Sequence, residues 1–203
     1  MEVVYADLDG TLLSFTREYD DLVADAFRHV EGECHSEWVT TYADRFFELF
    51  ETQEPEPFKR AFAAVSDRPK ALADALLEAE IDASEPPPNL RRDLSLLGTD
   101  RRLGVLTNGV PEWQRRKLAA HGLIEEFDAI VTSYEAGAHK PDPEPFELAE
   151  ERLPADAYAM IGDGDADVEG ARRAGWSAYR YRPADHGGIA AAVIGREDGA
   201  NSE

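Results

Sequence analysis

Two aspartates near the start of the chain have the spacing of a paired acid site. Asp7 and Asp9 are separated by one residue after the apolar run 3–6, so both side chains point to the same side of an extended strand. Gly10 then permits a sharp change of direction, and Thr11 can hold the turn through a local hydrogen bond. Such a segment is either an ordinary turn with solvated carboxylates, or a site where one carboxylate attacks a substrate and the other moves a proton.

Three further polar segments follow in an order that suits phosphoryl transfer. Thr107 and Asn108, before Gly109, offer a hydroxyl group and backbone N–H groups to phosphate oxygens. Lys140 offers a point positive charge to a phosphate or an acyl-phosphate. The acidic segment 162–167 supplies hard oxygen ligands for Mg²⁺. Each segment alone has the simpler interpretation of a turn, a surface lysine or an acidic loop, but the four together predict phosphoryl transfer.

Short apolar segments precede most of these polar residues and alternate with helix-like stretches. This alternation predicts an α/β fold with a Rossmann-like parallel sheet and helices on both faces. Ligands of such sheets gather at the carboxyl ends of the strands, which is where the polar segments fall. The strand-like segments are residues 3–6, 103–106, 129–131, 159–161 and 178–181.

Residues 15–88 break the alternation because they show helical periodicity and no convincing strand. We expect about four helices here, inserted as a helical cap into a core formed by residues 1–14 and 89–203. The final residues 196–203 are expected to be disordered. The apolar stripes of the first two cap helices comprise Leu22, Val23, Ala26, Phe27 and Val30, and Trp38, Val39, Tyr42, Phe46, Leu49 and Phe50.

The charge of the chain restricts its partners. Among 203 residues, 42 are acidic and 21 basic, so the formal net charge of -21 repels nucleic acids and acidic membrane surfaces. The acidic residues are dispersed and lysines are rare, a pattern that suggests adaptation to a high-salt cytoplasm. An acidic protein of ordinary salt conditions is the alternative. With no apolar run of about 18 residues, the chain is expected to be cytoplasmic and not to enter a membrane.

The polar segments, taken together, resemble the haloacid dehalogenase superfamily of aspartate-nucleophile phosphatases. The resemblance covers nearly the whole chain, and a helical insert between the first two motifs is similar to the subgroup with a cap of the first type. That subgroup acts on small phosphorylated molecules, so a phosphorylated metabolite is the expected substrate. The matching segments are residues 7–12, 106–109, 135–143 and 162–163 followed by 167–171.

The resemblance implies a role for each of five residues. Asp7 would attack phosphorus and carry the phosphoryl group as an aspartyl-phosphate. Asp9 would protonate the leaving oxygen and then activate the water that hydrolyses the intermediate. Thr107 and the backbone at Asn108 would bind the phosphoryl oxygens, and Lys140 would offset the charge of the crowded carboxylates.

The resemblance also implies a magnesium site. Mg²⁺ would lie between Asp7, the main-chain carbonyl of Asp9, Asp163 and the phosphate. Many relatives separate the two acidic residues of the last motif by four residues, whereas three lie between Asp163 and Asp167 here. Asp165 and Asp167 therefore compete for the second acidic role, and we favour Asp167 because residues 168–171 keep the helix start of the family.

Four alternatives have to be weighed. Relatives that cleave carbon–halogen bonds lack the second acid of the first motif, so Asp9 argues against a dehalogenase. Two-component receiver domains combine similar residues, but they are much shorter and have no cap. A sugar-phosphate phosphomutase uses the same phosphorylated aspartate and stays open, as does a non-enzymatic phosphate-binding protein on this scaffold. The prediction is a magnesium-dependent phosphatase, either a monomer or a homodimer.

Overall fold

The computed structural model describes residues 1–182 and 188–193. The chain forms two compact units, one made of Met1–Ser14 with Glu85–Glu203 and the other of Phe15–Ser84. The second boundary lies after Ser84, ahead of the expected boundary after Pro88, because the last helix of the insert already ends at Ala83. The expected disorder of residues 196–203 concerns a segment outside the described residues.

The larger unit is built on a parallel sheet of five strands in the order β5-β4-β1-β6-β7. A separate pair, β2 with β3, lies where the chain passes from one unit to the other. The strands are β1 (Glu2–Ala6), β2 (Ser14–Phe15), β3 (Ser84–Glu85), β4 (Arg102–Thr107), β5 (Ala129–Thr132), β6 (Ala157–Gly162) and β7 (Ser177–Arg180).

Four of the helices begin with a proline, whose missing N–H group costs nothing in the first turn. A short 3-10 helix, Ile124–Glu126, precedes β5. Within residues 1–182, the α-helices are α1 (Tyr19–Glu31), α2 (Ser36–Glu51), α3 (Pro57–Phe62), α4 (Pro69–Ala83), α5 (Leu90–Leu97), α6 (Pro111–Ala120), α7 (Ser133–Ala136), α8 (Pro143–Arg152) and α9 (Asp165–Arg173).

Strand β1 forms the centre of two hydrophobic cores, one on each face of the sheet. Val4 and Ala6 belong to one core, and Val3 and Tyr5 belong to the other, as the two-residue repeat of a strand requires. All four side chains are almost fully buried, so β1 is a central strand covered on both faces. This burial fixes the position of the strand end from which Asp7 emerges.

The smaller unit, residues 15–84, contains helices α1 to α4 and a core of packed aromatic rings. The rings of Tyr42 and Phe62 are stacked with their centroids 4.1 Å apart, and Phe27 meets Phe62 edge-on at 5.3 Å. Stacked and edge-on pairs of this kind add to the free energy gained by burying the rings. The stripes predicted from the sequence thus supply the core of this unit through Leu22, Phe27, Tyr42, Phe46 and Leu49.

The predicted α/β class with a parallel sheet and an inserted helical cap is confirmed. Helix α5 was not predicted, although Leu90, Leu94 and Leu97 have helical spacing and are buried. Within residues 1–182 and 188–193, every helix is too short or too polar to cross a membrane.

Candidate active site

The polar segments meet because strands β4, β1 and β6 are neighbours in the sheet. Ala6 pairs with Val105 of β4 and with Ile161 of β6, so the residues that follow these positions leave the sheet at the same edge. The backbone N–H of Asp7 donates to the carbonyl of Ile161 at 2.8 Å, which extends the pairing by one residue. Asp7, Thr107 and Asp163 therefore emerge side by side from three adjacent strands.

Lys140 lies in the centre of the site and is buried. Its Nζ donates to Asp7 Oδ1 at 2.8 Å, to Asp167 Oδ1 at 2.6 Å and to the carbonyl of Leu106 at 2.6 Å. Burial lowers the pKa of Lys140, but the charges of Asp7 and Asp167 outweigh that effect and raise it above its ordinary value. Lys140 is therefore a fixed cation and not a source of protons at neutral pH.

For Asp7, in contrast to Lys140, the effect of burial on the pKa outweighs the effect of the oppositely charged neighbour. Burial raises the pKa of its carboxyl group, the Lys140 ammonium lowers it, and the nearby Asp167 charge raises it again, for a result of about 7. A single lysine thus does not neutralise the negative charge gathered around Asp7. A site with such an excess of negative charge favours a bound cation.

Three carboxylates form a cluster that could hold a metal ion. One oxygen from each of Asp7, Asp163 and Asp167 lies within 4.8 Å of the others. Thr11, expected to hold its own turn, donates its hydroxyl group to Asp163 Oδ1 at 3.1 Å. Gly10 has a φ of +88°, and a Cβ atom there would lie 2.5 Å from Asp163 Oδ2, so only glycine allows the two loops to approach this closely.

Asp165 and Asp167 are placed differently, although both lie in the first turn of α9. Asp167 is buried. Its carboxylate accepts one hydrogen bond from Lys140 Nζ and another from the backbone N–H of Gly164, the latter at 3.0 Å. Asp165 is exposed and pairs with the Arg180 side chain. The structure therefore brings Asp167 and not Asp165 to Asp7.

Asp9 does not lie with this cluster through its side chain. Its Oδ1 accepts from Lys117 Nζ at 2.5 Å, and its Oδ2 accepts from Gln114 Nε2 at 3.0 Å. Both partners lie on α6 and are buried, while Asp9 remains partly exposed. Neither residue was predicted from the sequence to belong to the site. Their three-residue spacing on a helix that follows the predicted phosphate-binding segment was the available signal, together with the rarity of lysine in this chain.

The segment at the end of β4 is tied to its neighbours. Thr107 Oγ1 accepts from Gln114 Nε2 at 3.2 Å, so one amide contacts both Thr107 and Asp9. Asn108 uses its side chain to fix the backbone of Lys140, with Nδ2 donating to the carbonyl at 3.1 Å and Oδ1 accepting from the N–H at 2.8 Å. Any contact of Asn108 with a phosphate is therefore expected from its backbone.

A hydrogen bond of Gly109 reduces the number of groups that are expected to bind phosphate. The backbone N–H of Gly109, the residue that follows Asn108, donates to Ser133 Oγ at 2.9 Å. The same hydroxyl lies 2.8 Å from Nδ1 of His139. Gly109 is therefore occupied in holding the loop before Lys140, which leaves Thr107 and the Asn108 backbone as the groups expected to bind phosphate.

Comparison with known proteins assigns the chain to one family. A family model described as haloacid dehalogenase-like hydrolase matches residues 1–175. The glyceraldehyde 3-phosphate phosphatase of Methanopyrus kandleri is 39% identical over 197 residues, which cover 90% of this chain and 84% of that protein. The chain belongs to the haloacid dehalogenase-like hydrolases, as the sequence predicted.

Two other similarities support less, the first because it is short and the second because its sequence identity is low. The phosphoserine phosphatase of Thermus thermophilus is 42% identical over 90 residues, but the match spans 41% of this chain and only 36% of that protein. A crystal structure of a HAD phosphatase from Thermococcus onnurineus has a TM-score of 0.70, covers 98% of this chain and 97% of its own, and is 24% identical. This structural likeness establishes the fold alone.

Proposed function

We propose that the protein is a Mg²⁺-dependent phosphatase that hydrolyses a small phosphorylated metabolite through an aspartyl-phosphate. The observation that carries the proposal is the buried contact of Lys140 with Asp7 beside two further carboxylates. With all three carboxylates ionised, the cluster carries three negative charges against the one positive charge of Lys140, an excess of two. A divalent cation matches that excess in charge.

Asp7 is the nucleophile. The contact between Lys140 and its Oδ1 fixes the carboxylate, and Oδ2 attacks phosphorus. The bond from phosphorus to the leaving oxygen breaks, and Asp9 gives its proton to that oxygen. Water then attacks the phosphorus of the aspartyl-phosphate, Asp9 takes up the proton, and phosphate and the free Asp7 carboxylate result.

Thr107 and the backbone at Asn108 hold the phosphoryl oxygens during both steps. They lie at the end of β4, beside the strand that ends at Asp7. Hydrogen-bond donors fixed in this way stabilise the charge that develops on the oxygens in the transition state. The backbone of Lys140 is aligned by Asn108, so the cation and the phosphate-binding segment are held as one piece.

The donor set fits magnesium. Asp7, Asp163 and Asp167 are the carboxylates available to it or to its water ligands, with the main-chain carbonyl of Asp9 as a further oxygen donor. Hard oxygen ligands of this type are those that Mg²⁺ prefers, and within the described residues no histidine or cysteine joins the cluster. Bound Mg²⁺ would supply charge stabilisation to the phosphoryl group.

A small substrate is supported by the helical unit and by the relatives. The insert between the first two motifs has the place in the chain that the cap has in the subgroup of this family that acts on small phosphorylated molecules. The relative from Methanopyrus kandleri carries the name of a phosphatase acting on a three-carbon sugar phosphate. The phosphomutase alternative uses the same Asp7 chemistry and differs in the acceptor of the phosphoryl group, so product analysis separates the two.

The test is hydrolysis of p-nitrophenyl phosphate with and without Mg²⁺. The wild type is expected to be active only with Mg²⁺, and Asp7→Asn is expected to lose activity while keeping its fold by circular dichroism. Asp165→Asn is the matched control, because this carboxylate pairs with Arg180 and is expected to be dispensable. Full activity of Asp7→Asn, or metal-independent turnover, would contradict the proposal.

The site is proposed to work in a cytoplasm of high salt concentration. The net charge of -21 creates self-repulsion on the folded surface that counter-ions reduce. Activity and stability are therefore expected to be higher in 2 M KCl than in 0.1 M KCl, and equal values would favour the alternative of an ordinary acidic protein.

A further inference from the structure

Gln114 and Lys117 form a pair of buried donors directed at one carboxylate. Their side chains lie on one face of α6, three residues apart, and each donates to a different oxygen of Asp9. Both are almost fully buried, whereas Asp9 is partly exposed. We propose that Gln114 and Lys117 are positioning residues that fix Asp9 for proton transfer and stabilise the carboxylate it becomes after giving up its proton.

This inference rests on the proposed function, in which Asp9 protonates the leaving oxygen. As the proton departs, negative charge develops on the Asp9 carboxylate. An ammonium group and an amide N–H already aimed at its two oxygens stabilise that charge without reorganisation. The effect is specific to the step in which Asp9 acts as an acid.

Burying the polar side chains of Gln114 and Lys117 costs free energy of folding, which indicates that they are kept for a role in the site. Gln114 Nε2 is directed at Asp9 Oδ2, Thr107 Oγ1 and the Asn108 carbonyl, whereas its Oε1 is buried with no hydrogen-bond partner in the described part of the chain. A buried acceptor without a partner destabilises a fold. A buried lysine likewise requires a partner for its charge, and Lys117 has it in Asp9. Polar groups of the kind that stability alone disfavours thus converge on Asp9.

Gln114 also connects the proposed proton donor with the residue expected to bind phosphate. Its amide contacts Asp9, the proton donor, and Thr107, which is expected to bind phosphate. The leaving oxygen is bonded to the phosphorus of that phosphate. A fixed distance between Asp9 and Thr107 therefore places the proton of Asp9 beside the leaving oxygen.

The test uses the dependence of rate on the leaving group. A good leaving group such as dinitrophenolate departs without a proton, whereas an alkoxide requires one. In Lys117→Met, kcat/KM for alkyl phosphates is expected to fall about 10²-fold, the usual size of an acid-base contribution, and that for 2,4-dinitrophenyl phosphate by less than about threefold. Asp9→Asn is the reference and should show the same selectivity, and Lys117→Arg should restore part of the loss.

Arg116→Met is the matched control, because Arg116 is an exposed basic residue of the same helix. It is expected to leave both rates unchanged. If Lys117→Met does not fold by circular dichroism, Gln114→Met provides the second variant, with the same selective loss expected. An equal fall for all leaving groups in a folded variant would overturn the inference and leave a merely structural role.

The outcome also separates this inference from the proposed function. A selective loss in Asp9→Asn without one in the Lys117 and Gln114 variants overturns the inference alone. A wild type without phosphatase activity, or an Asp9→Asn variant without a selective loss, overturns the proposed roles and the inference with them.

Discussion

Asp7 and Lys140 are separated by 133 positions in the chain and joined by a hydrogen bond of 2.8 Å in the interior of the site. The sheet brings them together: Asp7 extends the central strand β1, and Lys140 is held through Asn108 at the end of the neighbouring β4. This contact connects the proposed nucleophile to a cation that also touches Asp167, a second carboxylate of the cluster.

Replacing Lys140 should destabilise the fold as well as stop catalysis. Lys140→Met leaves Asp7 and Asp167 facing each other without their cation, and breaking a buried ion pair in this way costs about 3–5 kcal/mol. Urea unfolding measures the loss. Lys70→Met removes an exposed pair with Asp74 and should change the free energy of unfolding by less than about 1 kcal/mol. Equal effects of the two variants would contradict a special role for Lys140.

The stability of the metal-free protein should depend on pH through Asp7. Burial raises the pKa of Asp7 in the fold to about 7 from an ordinary value of 3.8. The folded state therefore binds the proton more tightly than the unfolded chain, so this contribution is complete below pH 3.8 and is lost as the pH rises through 7. Asp7→Asn removes that dependence.

Urea unfolding of the wild type and of Asp7→Asn in EDTA, from pH 5 to pH 8, measures the direction of this pH dependence. The stability of Asp7→Asn relative to the wild type is expected to increase with pH over this range. A relative stability that stays constant or falls would show that the Asp7 carboxyl group is not held above its ordinary pKa.

Magnesium should stabilise the protein through the clustered carboxylates. A ligand that binds only the folded state at one hundred times its dissociation constant adds about 2.7 kcal/mol. Thermal unfolding with and without Mg²⁺ is expected to show this gain in the wild type and in Asp165→Ala. The gain should be reduced or lost in Asp163→Ala and Asp167→Ala. The reverse result for Asp165 and Asp167 would mean that the last motif has been assigned to the wrong aspartate.

Replacing Gly10 should weaken Mg²⁺ binding, because the loop at Gly10 lies directly against Asp163. Gly10→Ala places a methyl group 2.5 Å from Asp163 Oδ2 and should displace that carboxylate. Loss of support for a metal ligand costs about 10-fold or more in affinity, so a higher Mg²⁺ concentration should be needed for half-maximal activity.

The control for this variant is Gly32→Ala. Gly32 has a φ of +84°, close to the +88° of Gly10, but a Cβ atom there would have no neighbour within 4 Å. Both variants carry the cost of an alanine in the left-handed region, roughly 1–2 kcal/mol, and only Gly10→Ala is expected to change the Mg²⁺ requirement. A similar change in both would trace the effect to backbone strain.

The fold was predictable because its signals are local. Apolar runs of strand length alternate with helical segments, and the aromatic residues of the insert have helical spacing. The end of the insert was less visible: Pro86 to Pro88 marked a break in the sequence, whereas the compact unit already ends at Ser84. Helix α5 follows these prolines directly and was missed although three of its leucines are spaced as on one face.

Part of the site could be anticipated, since the motifs fall at the ends of strands. The contacts that complete it depend on long-range packing. Nothing in the sequence near Asp9 indicates that Gln114 and Lys117 hold it, because more than 100 residues separate them from it. Likewise the hydroxyl group of Thr11 reaches Asp163 instead of its own turn, a contact that only the adjacency of β1 and β6 creates.

The central claim is that Asp7 becomes phosphorylated, and rapid acid quenching with phosphorus-labelled p-nitrophenyl phosphate tests it most directly. Within the first turnover, the wild type is expected to carry label on the peptide that contains Asp7, released by hydroxylamine as an acyl-phosphate should be. Asp7→Asn is expected to carry none. Turnover without labelled protein at any time, or label on a peptide that lacks Asp7, would contradict the account.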